Sequence, residues 1–316
     1  MRVTVVINKW WECEPAISAM LNGNASPTGA PWPSVLNSPL PRPSGKYPPF
    51  LKPRALFNYT NFDAEIWCVS DLLNDAESYC QSSSSLKAAL LPKVFCGGTP
   101  DLLIAVGTAS SATESPNRNG GVAIGTAVFL HDAHPNGENP LSNWSGPSDQ
   151  LITSPITTKL FSQVASFDAA SALLHFMPLR RNTSDAPVVT VGFDDVALGT
   201  LNVTNYGDYK YKDPGTVAAY LKSGSANRAV SIETTHGLIR LSCPQAPFLF
   251  LSSITDRFGY FDGDVSAPAL ADAQNTAAAY NAGVVLRWIF AYLDTAISVK
   301  PAAPCVPQPN PPGQSN

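Results

Sequence analysis

Charge is scarce in this sequence: Asp, Glu, Lys and Arg make up 14% of its 316 residues, and the net charge is −4. No basic cluster stands out, which excludes the grouped Lys and Arg needed to neutralise nucleic-acid phosphates. Histidine is rarer still, at four residues, too few for a His-rich metal site. His131 and His134 stand three apart beside a turn-like Pro135-Asn136-Gly137 and read as loop histidines with ordinary hydrogen bonds. No apolar run reaches the length of a membrane span. GxGxxG, GxxxxGKS/T and GxSxG are all missing, so dinucleotide, P-loop and α/β-hydrolase readings lose their sequence support. The six cysteines form no CxxC pair and keep no regular spacing. The chain opens into a strand-like run, Val3 to Ile7, without a signal-peptide apolar region, so reduced, buried thiols in a cytoplasmic protein are expected. Sequons at Asn24, Asn58, Asn143, Asn182 and Asn202 pull weakly the other way.

What is abundant is apolar material, 44% of the chain, enough for one large core. Strand candidates are Val3–Ile7, Ala64–Ser70, Leu102–Val106, Gly121–Leu130, Pro187–Val191, Ala197–Val203 and Pro247–Ser252. Helical spacing appears at about Pro15–Leu21, Ile156–Phe176, Thr216–Leu221 and 267–299. In the last of these Leu270, Ala273, Ala277, Tyr280, Val284, Trp288 and Tyr292 recur every three or four residues. Strands alternating with helices predict an α/β fold, a central twisted mixed sheet flanked by helices in one domain over 1–299. Nine prolines between Pro27 and Pro53 exclude regular helix or central strand there. A Pro-rich insertion at about 22–60 is therefore expected on the surface or at an oligomer contact. Residues 300–316, with six prolines, read as a loose tail.

The chemistry concentrates in Ala226–Gly259. The pattern predicts a helix opening near Ile232 with Glu233 at its start, a break at Pro244 and Pro247, and an apolar strand with Asp256 just past its carboxyl end. Ligands bind at the carboxyl ends of strands in open α/β sheets. Two acids meeting there can divide labour, one accepting hydrogen bonds from hydroxyls and the other donating a proton to a leaving group.

This segment resembles the purine nucleoside phosphorylase and methylthioadenosine/adenosylhomocysteine nucleosidase family. Ile232-Glu233-Thr234 matches that family's Met-Glu-Ser/Ala/Thr motif, and Ile254-Thr255-Asp256 matches its Ile/Val-Ser-Asp. Pro100–Ala109 is similar to the strand leading into the family's Gly-Ser/Thr-Ala-Gly-Gly turn, here through Gly107, Thr108 and Ala109, and Gly121–Ile124 to the strand after it. Val203–Tyr209 resembles the base-binding strand. The resemblance covers roughly 3–14 and 97–295.

It implies cleavage of the N-glycosidic bond of a purine nucleoside, without a cofactor. Water is favoured as the acceptor, with phosphate as a possible co-substrate. Glu233 would hold the ribose 2′- and 3′-hydroxyls. Ile232 would touch the sugar, with Thr234 beside it, and Asp256 would protonate N7 of the purine. Tyr209 or Tyr211 would stack on the base or cover the sugar. Glu12 or Glu14, placed where nucleosidases carry a run of glutamates, would activate water. Lys9 would supply a cation near the first strand. A homo-oligomer is expected, with no nucleic-acid or membrane partner.

The sequence departs from the pattern at Ser110 and Ser111, where the family has glycines free to take positive φ. It departs again at Ala105, where bacterial phosphorylases carry an Arg. His236 reads as packing on its helix. The competing reading is a degenerate nucleoside-binding or storage-type protein of the same fold, as in plant vegetative storage proteins. The pair Glu233 and Asp256 argues against it.

Overall fold

The computed structural model describes residues 1–22, 34–37, 52–73, 84–112, 119–131, 173, 189–191, 199–203, 229–258 and 268–296. All of the expected helix at 156–176 but residue 173, the expected helix at 216–221, the Pro-rich tail, most of the Pro-rich insertion, and Tyr209 and Tyr211 lie outside the described residues.

Among the described residues, eleven strands form one mixed sheet. They are β1 (Arg2–Ile7), β2 (Ser34–Asn37), β3 (Ala55–Asn58), β4 (Asp63–Cys68), β5 (Leu102–Ser111), β6 (Val122–Gly125), β7 (Ala127–His131), β8 (Val189–Val191), β9 (Gly199–Val203), β10 (Ala229–Glu233) and β11 (Phe248–Arg257). The described helices are α1 (Trp10–Asn22), α2 (Val69–Leu73), α3 (Ser84–Leu90) running into a 3-10 turn (Leu91–Phe95), α4 (His236–Ser242) and α5 (Pro268–Ala296). None of them is long and apolar enough to cross a membrane.

The strand β5 is the hub. Its first half, Leu102–Val106, pairs parallel with β1, and its whole length from Leu103 pairs parallel with β11. Where β1 stops at Ile7, β5 continues, and β10 takes up the vacated edge antiparallel at Ser110 and Ser111. Residues 107–109 thus fall in the interval between two neighbours on that side. β2, the strand inside the Pro-rich insertion, lies at one end of the strand order, where proline-rich flanks do least harm to the ladder.

Alternate residues of β5 feed opposite layers. Leu102, Ile104 and Val106 pack with α1 and α5, through Ile17, Val285, Ile289 and Phe290. Leu103 and Ala105 pack with Phe248, Phe250, Leu238 and Ile239, under α4. Burying a side chain such as Phe290 or Phe250 contributes roughly 1.5–3 kcal/mol. The pairing of α1 with α5 is unusually close, because a Cβ at Gly283 would collide with the backbone of Ala16. That contact fixes how deep α1 sits, and the first turn of α1 carries Glu12.

Four sequence expectations are corrected here. Residues 107–111 are not a turn: they remain in β5 because β11 pairs with them throughout and β10 joins at their end. Among the described residues the positive-φ glycines are Gly98 and Gly120, and Gly107 is not one of them. The helix does not open at Ile232: Ala229–Glu233 is strand, held by β5 and β9, and α4 starts at His236. Asp256 lies inside β11 rather than beyond it, since that strand runs on to Arg257 through an irregularity between Ile254 and Asp256. The single strand expected at 121–130 is two, because β6 pairs with β11 and β8 while β7 pairs with β9.

Candidate active site

The termination of β1 leaves the amide of Thr108 facing α1 in place of a strand. It donates to Glu12 Oε1 at 2.8 Å, and the Thr108 hydroxyl donates to the same oxygen at 2.6 Å. The other oxygen, Oε2, accepts from the Lys9 amide at 2.8 Å. The carboxylate is buried, at 3% exposure, and burial raises its pKa against the pull of those three donors and of Lys9. The lack of a side chain at Gly107 makes the close packing possible: a Cβ there would lie 3.3 Å from His236 Nε2 and 3.6 Å from Glu12 Oε1.

Two residues further along β5, Ser110 repeats the arrangement with a second acid. Its hydroxyl donates to Asp256 Oδ2 at 2.7 Å, and the Thr255 hydroxyl donates to Oδ1 at 2.6 Å. Asp256 is 2% exposed. Thr108 and Ser110 are one alternation apart on a strand, so their side chains share a face about 7 Å apart. One strand therefore presents two buried carboxyl groups side by side through two hydroxyl residues. Ile232 sits opposite Ser110 on the other flank, in line with Asp256.

Glu233 ends β10. Its Oε2 accepts the amides of Thr235 and His236, the latter at 2.7 Å, so one oxygen ties down the entry to α4. Oε1 is buried with no hydrogen-bond partner among the described residues, and His236 Nδ1 lies 3.9 Å from it. Burial pushes the Glu233 pKa up to about 8, the Glu12 charge pushes the same way, and the two amides and Lys87 oppose it. Glu12 and Glu233 thus feel each other's charge, and one buried region holds both.

Glu14 goes elsewhere. It is half-exposed and pairs at 2.7 Å with Arg54, whose guanidinium also takes both oxygens of Asp71. Lys9 is buried beside Glu12, and its charge reaches Lys87. Thr234 is partly buried, with its hydroxyl 3.4 Å from that of Thr235. Ala109 is buried, and its carbonyl oxygen lies 3.3 Å from the Thr255 hydroxyl oxygen. His236 does more than pack on its helix: it stacks on Phe250 and lies 3.5 Å from the Ser252 hydroxyl. Burial drives its pKa down to about 3, so the ring is neutral at ordinary pH.

Sequence reasoning missed Lys87. It lies in a short helix without a motif, yet it is buried at 4% exposure with Nζ 2.9 Å from Thr235 Oγ1. The one available signal was a lone Lys inside the apolar run Leu86–Leu91.

No family model matches the chain, and no curated protein matches it by sequence. Solved structures do match its fold. The 5′-methylthioadenosine nucleosidase of Arabidopsis thaliana in apo form aligns with a TM-score of 0.55 at 14% identity, over 93% of this chain and 96% of that one. A putative 5′-methylthioadenosine/S-adenosylhomocysteine nucleosidase of Borrelia burgdorferi B31, bound to adenine, gives 0.55 at 11% identity over 92% and 99%. The S-adenosylhomocysteine nucleosidase of Streptococcus pyogenes, in complex with 5-methylthiotubericidin, gives 0.52 at 11% identity over 93% and 97%. At these identities the likeness is one of fold.

Proposed function

We propose that the chain hydrolyses the N-glycosidic bond of a purine nucleoside. The observation that carries this reading is the pair of carboxyl groups, Glu12 and Asp256, presented on one face of β5 by Thr108 and Ser110, with the open oxygen of Glu233 in the same region. A purine anion is a poor leaving group at neutral pH, and the sugar becomes oxocarbenium-like as the bond stretches. Catalysis therefore needs a proton at the base and a held nucleophile. In our assignment Asp256 gives its proton to N7, the C1′–N9 bond breaks with its electron pair going to the base, and neutral purine leaves. Glu12 takes a proton from water as its oxygen bonds C1′. Glu233 Oε1 accepts from the ribose hydroxyls, with Ile232 against the sugar. The titrating groups return to their starting states when Asp256 is reprotonated and Glu12 deprotonated.

A second reading, phosphorolysis, is favoured by the two buried cations Lys9 and Lys87 near Glu12. Purine release from a nucleoside panel, measured with and without phosphate, separates the two. Release without phosphate supports hydrolysis, and release only with phosphate supports phosphorolysis. Binding of nucleosides with no release would make the chain a non-catalytic member of the same fold.

A further inference from the structure

A lysine with almost no solvent contact is unusual unless it is paired, and Lys87 reaches the candidate site from a helix that contributes nothing else to it. Its Nζ bonds the hydroxyl of Thr235 at 2.9 Å. The amide of that same Thr235 is held by Glu233 Oε2, so ammonium, threonine and carboxylate form one chain of contacts. At the far end of the chain, Glu233 Oε1 has no partner among the described residues. We infer that Lys87 is a positioning residue for the sugar-binding carboxylate, favouring the ionised form of Glu233 so that its open oxygen accepts from sugar hydroxyls.

The inference rests on the nucleosidase reading for its substrate, and on geometry for the coupling. Glu12 opposes ionisation of Glu233, and burial opposes it further. Two neighbouring carboxylates in a dry region do not both ionise without a cation close by. The charged groups facing Lys87 are Glu233 and Glu12, which favour its charged form, and Lys9, which disfavours it together with burial. Burial and Lys9 lower its pKa while Glu233 and Glu12 hold it up, so the ammonium and the Glu233 carboxylate favour each other. His236 is neutral there. Of the other elements packed on α3, α2 brings Asp71, both of whose oxygens are held by Arg54. On α4, the Arg240 guanidinium is directed to the carbonyls of Cys243, Pro244 and Ala246. Lys93 of the 3-10 turn is exposed. Lys87 is thus the cation placed to act on Glu233.

The test compares the full-length chain with Lys87→Met, Lys87→Arg and Thr235→Val. Removing the cation makes Glu233 harder to ionise, so the acid limb of kcat/KM must move to higher pH in Lys87→Met, by about one unit or more. Below that limb the loss is roughly tenfold, appearing in KM rather than in kcat. Lys87→Arg should keep the limb in place. Thr235→Val, which frees the ammonium without removing it, should move the limb the same way by less. An active Lys87→Met with the wild-type pH profile overturns the inference. Difference infrared titration of the protonated carboxyl signal gives a readout without substrate. An upward shift of the carboxyl titration midpoint in Lys87→Met, or in Thr235→Val should the former fail to fold, supports the inference, and an unchanged midpoint overturns it. If the wild-type chain cleaves no nucleoside, only the functional reading falls, and the infrared comparison still decides the role of Lys87.

Discussion

Replacing Glu12 by Gln removes one charge and one acceptor and leaves almost everything else in place. A glutamine oxygen directed at Thr108 still accepts from both the amide and the hydroxyl that now bind Oε1. Its amide group then faces the Lys9 amide, donor against donor, where Oε2 accepts today. A lost hydrogen bond to a charged acceptor costs about 1.5–3 kcal/mol. Relief from burying a carboxylate beside Glu233 acts in the opposite direction, so the net change in folding stability should be small, on the order of 1 kcal/mol. The kinetic effect should be much larger. A general base contributes about 10²–10⁴-fold, equivalent to roughly 2.7–5.5 kcal/mol of barrier, and glutamine cannot take a proton from water. The loss should fall on kcat in a purine-release assay, with KM changed by no more than about threefold, because the sugar hydroxyls are assigned to Glu233. The pH profile carries a second signature. Glu12 has a raised pKa and must be ionised to act, so the activity it supports falls as pH drops, and Glu12→Gln should lose that dependence. Glu14→Gln is the matched control, since Glu14 is tied to Arg54. A Glu12→Gln protein with wild-type kcat, or a Glu14→Gln protein with the larger loss, would refute the assignment.

Asp256→Asn keeps the size and the Ser110 contact but cannot cycle a proton. It should lower kcat by on the order of 10²-fold or more, and by less for nucleosides whose base already leaves well; an unchanged kcat on an ordinary purine nucleoside would remove Asp256 as the acid. His236 has a folded-state pKa of about 3 against 6.5 when unfolded, so between those values the unfolded state holds the extra proton. Stability from this group is therefore present above pH 6.5 and lost as pH falls toward 3, by roughly 4–5 kcal/mol at most. Denaturant titrations at several pH values should show a shallower acid decline in His236→Phe than in wild type, and parallel declines would count against it. The homo-oligomer expected from the sequence predicts a mass above the monomer by light scattering at micromolar concentration; a monomeric mass would refute it.

The sheet was readable because its strands are unusually apolar: every strand candidate of the sequence corresponds to at least one strand of the structure, and the spacing over 267–299 marks α5. What the sequence obscured was where strands end. Gly107-Thr108-Ala109-Ser110-Ser111 has the composition of a turn, with small polar residues and a glycine. The residues remain extended because β11 and β10 supply partners from more than 100 residues away, and local propensity does not see them. The same non-local pairing makes Ile232 and Glu233 strand rather than helix. It also turns the two serines from apparent losses of glycine into a carrier for Asp256 and a register point for β10. The choice between Glu12 and Glu14 had a similar limit. Two positions apart on a helix they point to different sides, but only the depth of α1, set by Gly283 against Ala16, decides which of them meets Thr108. Arg54 then claims the other one. Lys87 was out of reach for the same reason in a stronger form. Its own helix marks it only as a lone Lys among apolar residues, and its significance arises when α3 packs on α4 and brings it to Thr235 and Glu233. Acids matching a familiar spacing announce themselves in a sequence, whereas the groups that set their protonation become visible only through packing.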